Sequence, residues 1–460
     1  MKVVVVDLFE FTSINYTIGQ TTEFNEGSRT LVLRESQLIT LEKLNEKYGF
    51  LEISRKTLKP KNLVGVVQVG DLTLQIFPKL LRTSSYESLE SHKTVVMGNL
   101  LKMLAVGGEI PIKPSEVAGV LSEKAPFLEI LISIYSQKLL ETLRYHRHYT
   151  YRTIEEDLNH VKGQINFASY TSRWHRRHVI PVRYNDRTMD NPLNRTLKYG
   201  AYLMTRLTQS RENYRRLKSA MELLEGVPTV PVSIHETYQI KFNRLNVVFK
   251  PLVEIARMFI SGTTVRLQTG KIETFTFLVP MEKVFESFVA GLLTNSRYEV
   301  LPREFEGSVI KTQHHIGNLL AEGKFWLIPD ITIQTAYGTK IIIDTKYKLL
   351  NKEDQKLGVS QSDLYQMYAY ASHWNADVVV LLYPAISNVI NREWHFNIKA
   401  EGTEKKVPLL IRSLDLGRFK MLDDEEWKEF LEKFRDLMGE ILSRGRQRLE
   451  HGEMEVLANV

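Results

Sequence analysis

Apolar positions along the chain change period twice, and each change marks a different kind of structure. Residues 1–92 carry short β-branched runs ("VVVVDLFEF", "RTLVLRE", "LVGVVQVG", "LTLQIFPKL") broken by Gly, Asn and Asp, which predicts strands. The Gly-Asp step in "QVGDLTLQI" predicts a hairpin. One helix is expected at 36–47, and the polar stretch 82–93 reads as a linker. From 93 to about 260 the apolar residues fall at three- and four-residue spacing, in "KTVVMGNLLKMLAV", "PFLEILISIYSQKLLETLRYH", the long stretch from Asn191 to Leu224, and "PLVEIARMFISG". The Gly- and Pro-rich segment 107–126 between the first two is expected to project as a loop. From about 271 the elements alternate: a helix at 280–294, a strand near 298–304, two strands at 326–335 and 340–347, a helix at 360–374 and a fully apolar strand at 377–384. A last amphipathic helix, 423–450, carries the stripe Trp427, Phe430, Leu431, Phe434, Leu437, Met438 and Ile441 behind the capping pair Asp423 and Glu426. This is a multidomain α/β pattern with a β-rich N-terminal domain (1–92), a mainly helical middle domain (93–270) and an α-β-β-β-α-β C-terminal domain (271–460).

Composition narrows the chemistry. There is no cysteine, so thiol nucleophiles, disulfides and thiolate zinc sites are excluded, and any metal must be held by oxygen or imidazole. The formal charge of +7 is compatible with a polyanionic partner. No apolar run approaches the length of a membrane helix, and "MKVVVVDLFEF" turns acidic too soon for a signal peptide. A cytoplasmic protein with no membrane association is expected. No GxxxxGK[ST] occurs, so no bound nucleotide of its own is expected.

The segment "LIPDITIQTAYGTKIIIDTKYK" places Asp330 and Asp344 inside apolar strands, where carboxylates are costly. Side chains alternate across a strand, so the turn decides whether the acids meet. A two-residue turn around Tyr337 and Gly338 separates them. An odd-length turn, with Gly338 at positive φ, puts Asp330, Asp344 and Lys346 on one face and leaves Ile331, Ile333, Ile341 and Ile343 on the other. Two adjacent carboxylates repel unless a cation sits between them. Mg²⁺ or Mn²⁺ suits such a pair, with the Thr345 carbonyl as a further ligand, and Lys346 would then stabilise charge on a scissile phosphate or its attacking hydroxide. In the next helix Asp363, Gln366 and Tyr370 share one face that would overlook this site.

The spacing of Pro329-Asp330 and Asp344-Thr345-Lys346, followed by "QMYAY", resembles the PD-(D/E)xK nuclease superfamily, in the branch with a helical Gln and Tyr. That resemblance implies metal binding by Asp330 and Asp344, catalysis by Lys346, supporting roles for Gln366 and Tyr370, and an added acid from the preceding helix, either Glu282 or Glu286. With "HVKGQINF" and "DNPLNRTLKYG", residues 93–400 resemble the McrC family of nuclease subunits in McrBC modified-cytosine restriction systems; residues 1–92 resemble an N-terminal extension of its longer members. The resemblance implies a restriction-endonuclease-like C-terminal domain and a Mg²⁺-dependent endodeoxyribonuclease, active with an AAA+ GTPase partner of the McrB type, expected as a hexameric ring, on double-stranded modified DNA. It also implies stimulation of that GTPase. Two other functions compete: a docking and GTPase-stimulating module with a vestigial nuclease site, and a stand-alone repair nuclease.

Two further surfaces stand out. Residues 144–195 hold ten Lys/Arg against five Asp/Glu, interleaved with aromatics. Lys162, Arg173, Arg176, Arg177 and Arg183 are candidate DNA contacts, with an ordinary basic face or a partner contact as the alternative. The histidines there lack metal spacing, and the "QHHIGN" pair, His314 and His315, reads as loop polarity. The loop 107–126 is long for a helix connection, and such a loop is costly unless it binds something. The family resemblance implies an insertion from the middle domain into the partner ring, which makes Ile110, Lys113, Glu116 and Glu123 candidate ring contacts, with a linker folded back on its own domain as the alternative.

Overall fold

The computed structural model describes residues 3–79, 89–112, 125–264, 273–386, 389–400 and 403–458. The chain divides into two compact units, one made of residues 1–127 with 278–460 and the other of 128–277. The β-rich N-terminal segment and the C-terminal segment thus share a unit, and the breaks fall at 127/128 and 277/278 instead of at 92/93 and 270/271.

The first unit begins with β1 (Val4–Phe9), β2 (Ile14–Ile18), β3 (Glu23–Asn25), β4 (Thr30–Leu33), helix α1 (Glu35–Tyr48), β5 (Leu51–Ile53), β6 (Thr57–Pro60), β7 (Leu63–Val69) and β8 (Leu72–Phe77). The expected hairpin is present: β7 and β8 pair antiparallel with Val69 opposite Leu72, and Gly70 turns the chain at a φ of 60°. β1 lies parallel to β8, and β2 to β6 form a second sheet in the order β3-β4-β2-β6-β5.

Helix α2 (Leu89–Val106) belongs to this unit because it packs on a C-terminal helix, Met281–Asn295. A Cβ added at Gly291 would lie 2.1 Å from the Val106 carbonyl oxygen, so the two helices touch backbone to backbone. Asn99 on α2 donates to the Phe419 carbonyl and accepts from the Met421 amide, both at 2.8 Å. The same packing corrects the reading of the 107–126 loop. Ile110 and Ile112 are 1% and 5% exposed, and Glu109 pairs with Lys283 and Ser287. Ile110 is a core residue without a surface to offer a partner. Lys113, Glu116 and Glu123 lie outside the described residues.

The second unit holds most of α3 (Phe127–Tyr145), then β9 (Thr150–Leu158), β10 (Gln164–Ile165), α4 (Phe167–Ser172), β11 (Ile180–Thr188), α5 (Pro192–Leu207), α6 (Arg211–Glu222), α7 (Ile234–Tyr238), α8 (Lys250–Gly262) and the paired strands β12 (Thr263–Thr264) and β13 (Thr274–Pro280), whose end enters the first unit. The stretch from Asn191 to Leu224 is a helix pair. Asn191 and Ser210 cap the two members, each accepting from a backbone amide three residues on. Gly200 lets α5 approach α8: a Cβ there would sit 2.7 Å from that of Ala256.

The C-terminal part of the first unit continues with α9 (Met281–Asn295), α10 (Arg297–Val300), β14 (Val309–Thr312), β15 (Gly317–Asn318), β16 (Trp326–Leu327), β17 (Ile331–Gln334), β18 (Lys340–Thr345), α11 (Gln361–Trp374), β19 (Val378–Ala385), β20 (Asn391–Ala400), β21 (Thr403–Asp415) and α12 (Asp424–Ala458). The sheet order is β14-β17-β18-β19-β21-β20. The order helix, three strands, helix, strand is therefore realised by α9, β14, β17, β18, α11 and β19. Two details differ from expectation. The segment near 298–304 is a helical turn, and the strand comes later, at 309, because Pro302 has no amide to give a ladder. The strand expected at 326–335 is split: Trp326 and Leu327 pair with β15, and only Ile331 onward joins the main sheet, the break falling at Pro329.

Candidate active site

β17 and β18 pair with Ile331 opposite Ile343 and Gln334 opposite Lys340, so residues 335–339 form an odd-length turn. Gly338 occupies it at a φ of 88°. In this register Asp330, one step before Ile331, is level with Asp344. Asp330 Oδ2 accepts from the Thr345 amide at 2.8 Å and the Thr345 hydroxyl at 2.7 Å. Asp344 is 1% exposed, and its Oδ2 lies 2.7 Å from Lys346 Nζ, an ion-pair contact not aligned as a hydrogen bond. Ile331, Ile333, Ile341 and Ile343 are fully buried, so the hairpin cannot slip register without exposing them.

Helix α11 reaches the same point. Lys346 Nζ donates to Gln366 Oε1 at 3.0 Å, Gln366 Nε2 donates to the Tyr370 hydroxyl at 2.8 Å, and that hydroxyl donates to the Ile328 carbonyl at 3.0 Å. The lysine is thus tied to Asp344 and, through a helix, to the strand that leads to Asp330. Asp363 does a local job: with Ser360 it forms the capping box of α11.

The geometry separates the two upstream glutamates. Glu286 accepts from Gln313 Nε2, whose nitrogen is also 3.5 Å from Asp330 Oδ1. Glu282 instead binds the Asn62 side chain. Gln313 was not legible as a site residue beside the more conspicuous His314 and His315. Its one distinguishing mark is structural: it holds a φ of 46°, rare for a residue with a side chain. His314 hydrogen-bonds Thr332 at 3.0 Å, and His315 hydrogen-bonds Asn318 at 3.2 Å.

Electrostatics reflect two acids forced together. Burial, then the charge of Asp330, pushes the Asp344 carboxyl well above the usual carboxylate range. Burial, followed by the charge of Asp330, also raises the pKa of Glu286. For Lys346 burial opposes the charge, but Asp344, Asp363 and Asp330 together hold the ammonium above its ordinary value. Among the described residues no cluster of three or more His, Asp or Glu side chains forms a ready-made metal cage. The donor set nonetheless fits Mg²⁺ or Mn²⁺. Mg²⁺ needs only one or two carboxylates and keeps water for its other positions. Asp330 and Asp344 supply hard oxygen, and a divalent cation would relieve the repulsion that Lys346 offsets only in part.

The basic segment lies in the second unit, on a three-stranded sheet in the order β10-β11-β9 whose residues are mostly exposed. Arg173 pairs with Asp157 at 2.9 Å, Arg183 with Glu155 at 3.4 Å, and Lys162 lies 3.7 Å from the Tyr184 ring centroid. Arg176 and Arg177 are exposed. The acids of β9 neutralise part of the positive excess that the sequence suggested.

Among the described residues no helix is long and apolar enough to cross a membrane. No curated protein matches the chain. Among solved structures, the chain is similar to one described as a half-complex from the tetradecameric assembly of Thermococcus gammatolerans McrB AAA+ hexamers with bound McrC. The TM-score is 0.69 at 18% identity, covering 94% of this chain and 100% of that one. A second, the cryo-EM structure of the Thermococcus gammatolerans McrBC complex, matches with a TM-score of 0.50 at 18% identity over 64% of this chain and 88% of that one. At that identity the likeness speaks for the fold. The family model for the McrBC 5-methylcytosine restriction system component matches residues 58–384, most of the chain, and includes Asp330, Asp344, Lys346, Gln366 and Tyr370. The chain belongs to the family of McrBC 5-methylcytosine restriction system components.

Proposed function

We propose that this chain is the DNA-cleaving subunit of a modification-dependent restriction complex, a metal-dependent endodeoxyribonuclease driven by a GTPase partner. The observation that carries the reading is the level pairing of Asp330 and Asp344 across an odd-turn hairpin, with Lys346 held between Asp344 and Gln366. Asp330 and Asp344 are the residues that would hold Mg²⁺ or Mn²⁺, with the Thr345 carbonyl as a further oxygen and Glu286 as the acid from the preceding helix. When bound, the metal supplies Lewis-acid polarisation of the phosphodiester and acidifies the attacking water. Lys346 is placed to donate to a phosphate oxygen as negative charge grows on it. Gln366 fixes the lysine, and Tyr370 fixes Gln366. In the hydrolysis a water oxygen bonds to phosphorus, the phosphorus bond to the leaving oxygen breaks, and the leaving oxygen takes up a proton.

The partner in this reading is an AAA+ GTPase of the McrB kind, since the similar solved structures are of McrC bound to McrB hexamers. The exposed β9–β11 sheet, with Lys162, Arg176 and Arg177, is the surface we assign to phosphate contact, Arg173 and Arg183 being occupied by acids. The reading of a docking module with a vestigial nuclease site is disfavoured by a register that brings the acids together. The test is cleavage of methylated duplex DNA in Mg²⁺ with the partner and GTP. Cutting should require all of them and should vanish with EDTA. Cutting that survives EDTA would contradict the metal; cutting without the partner would favour the stand-alone nuclease.

A further inference from the structure

Between β14 and β17 the chain leaves the main sheet, makes the small hairpin of β15 and β16, and returns. Both feet of this hairpin stand in the candidate site. Gln313, at its start, bonds Glu286 and approaches Asp330. Its descending arm ends at the Ile328 carbonyl, which holds Tyr370, two residues before Asp330. The base is anchored. Leu327 is buried in the core and Ile316 packs against it. Gly317, at a φ of 153°, lies so close to α11 that a Cβ would fall 1.9 Å from His373 Nε2.

The tip is the opposite. Leu319, Leu320, Phe325 and Trp326 are 58%, 43%, 69% and 68% exposed. Four large apolar side chains at the end of one short hairpin are not needed by the fold, whose core lies beneath them. The tip nevertheless makes bonds of its own. Leu319 donates to the Phe325 carbonyl at 2.8 Å, Gly323 donates to the Leu320 carbonyl at 3.1 Å, and the Trp326 ring lies 5.4 Å from that of His315. Phe325 itself sits in the left-handed region at a φ of 58°, where glycine or asparagine would be less strained. An exposed aromatic is thus kept at a position that backbone preference disfavours.

We infer that this hairpin is a wedge that enters the base stack of duplex DNA beside the scissile phosphate, with Leu319, Leu320, Phe325 and Trp326 as the inserting side chains. The inference rests on the nuclease reading of the adjoining site. Apolar wedges that part base steps, and aromatic rings on which bases stack, are recurrent modes of nucleic-acid contact. Two features favour DNA over a protein occupant. The hairpin is continuous at both ends with the candidate cleavage site, so its tip stands only a few residues along the chain from Asp330. Its flanking charge is also positive, Lys311 and Lys324 against Glu322, with His315 exposed alongside.

The test uses the full chain with its GTPase partner, Ca²⁺ in place of Mg²⁺, and methylated duplexes carrying 2-aminopurine at successive positions. Wild type should brighten the probe at one or two steps as the base unstacks. The Phe325→Ala/Trp326→Ala and Leu319→Ser/Leu320→Ser forms should lose that signal and bind the duplex about tenfold more weakly or worse. If the aromatic pair proves needed for folding, the leucine pair carries the test, its side chains being on the surface. Variants that unstack and bind like wild type, or a wild type that brightens no position, would overturn the wedge. So would variants that bind DNA normally but no longer co-elute with the partner, which would make the tip a protein contact. Failure of the nuclease reading shows separately, as undiminished Mg²⁺-dependent cutting by Asp344→Ala with the tip intact.

Discussion

Lys346 Nζ donates to Gln366 Oε1 at 3.0 Å, so a strand-borne cation is oriented by a helix-borne amide. Gln366 makes no ion pair and acts through the lysine. Gln366→Ala should lower cleavage about ten- to hundredfold, the usual cost of losing a supporting contact at a metal site. Gln366→Glu, which keeps the acceptor, should restore much of it. Both variants lose the Nε2 donor to Tyr370, so unfolding free energies should fall by no more than about 1 kcal/mol; a larger fall than that of Tyr370→Phe would make Gln366 a packing residue.

Tyr370 is 5% exposed and its hydroxyl bridges Gln366 and the Ile328 carbonyl. Tyr370→Phe leaves that carbonyl and amide short of a partner. It should cost roughly 1–2 kcal/mol in chemical denaturation. An unchanged midpoint would mean the hydroxyl does not bridge in solution.

The helix crossing at Gly291 gives a steric prediction. Gly291→Ala drives a methyl into the Val106 carbonyl, and backbone on both sides limits relief. A loss of about 1–3 kcal/mol is expected, with weaker cleavage because α9 also carries Glu286. A wild-type melting temperature would place the helices farther apart than described.

Glu10 predicts a pH dependence. It is 1% exposed, and its Oε2 accepts from the Tyr347 hydroxyl and the Lys79 amide, both at 3.1 Å. Burial raises its pKa from 4.5 to about 7, against the lowering pull of those bonds and of Lys79. The fold therefore holds a proton that the unfolded chain releases. Its stabilising contribution is full below pH 4.5, declines as pH rises, and is gone above about 7. The swing is on the order of 3 kcal/mol at most. Wild-type stability minus that of Glu10→Gln should fall across this window; a flat difference would contradict the shift.

Local pattern carried much of this account and missed what depends on packing. The hairpin register was readable because Gly338 marks a turn and a one-residue slip would expose the isoleucines. The pair Gln366 and Tyr370 was readable because helical spacing alone sets them on one face. Glu282 and Glu286 share a face too, and only the distant residues Asn62 and Gln313 tell them apart. Ile110 reads as a partner contact in a Gly- and Pro-rich stretch because its burial comes from packing that the sequence does not display. The segment 298–304 has the β-branched and aromatic content of a strand, but Pro302 denies it a ladder. β16 was hidden at the start of an apparent single strand and β15 in a stretch that reads as loop polarity, and the exposed tip of their hairpin becomes visible only when the core beneath it is complete.

Asp330, Asp344 and Lys346 are proposed to form a cleavage site. Its most direct test is cutting of methylated duplex DNA in Mg²⁺, with the GTPase partner and GTP, by wild type and by the Asp344→Ala and Lys346→Ala forms. Both variants should lose about a hundredfold or more in rate while still co-eluting with the partner. Cutting at the wild-type rate by either one would contradict the account.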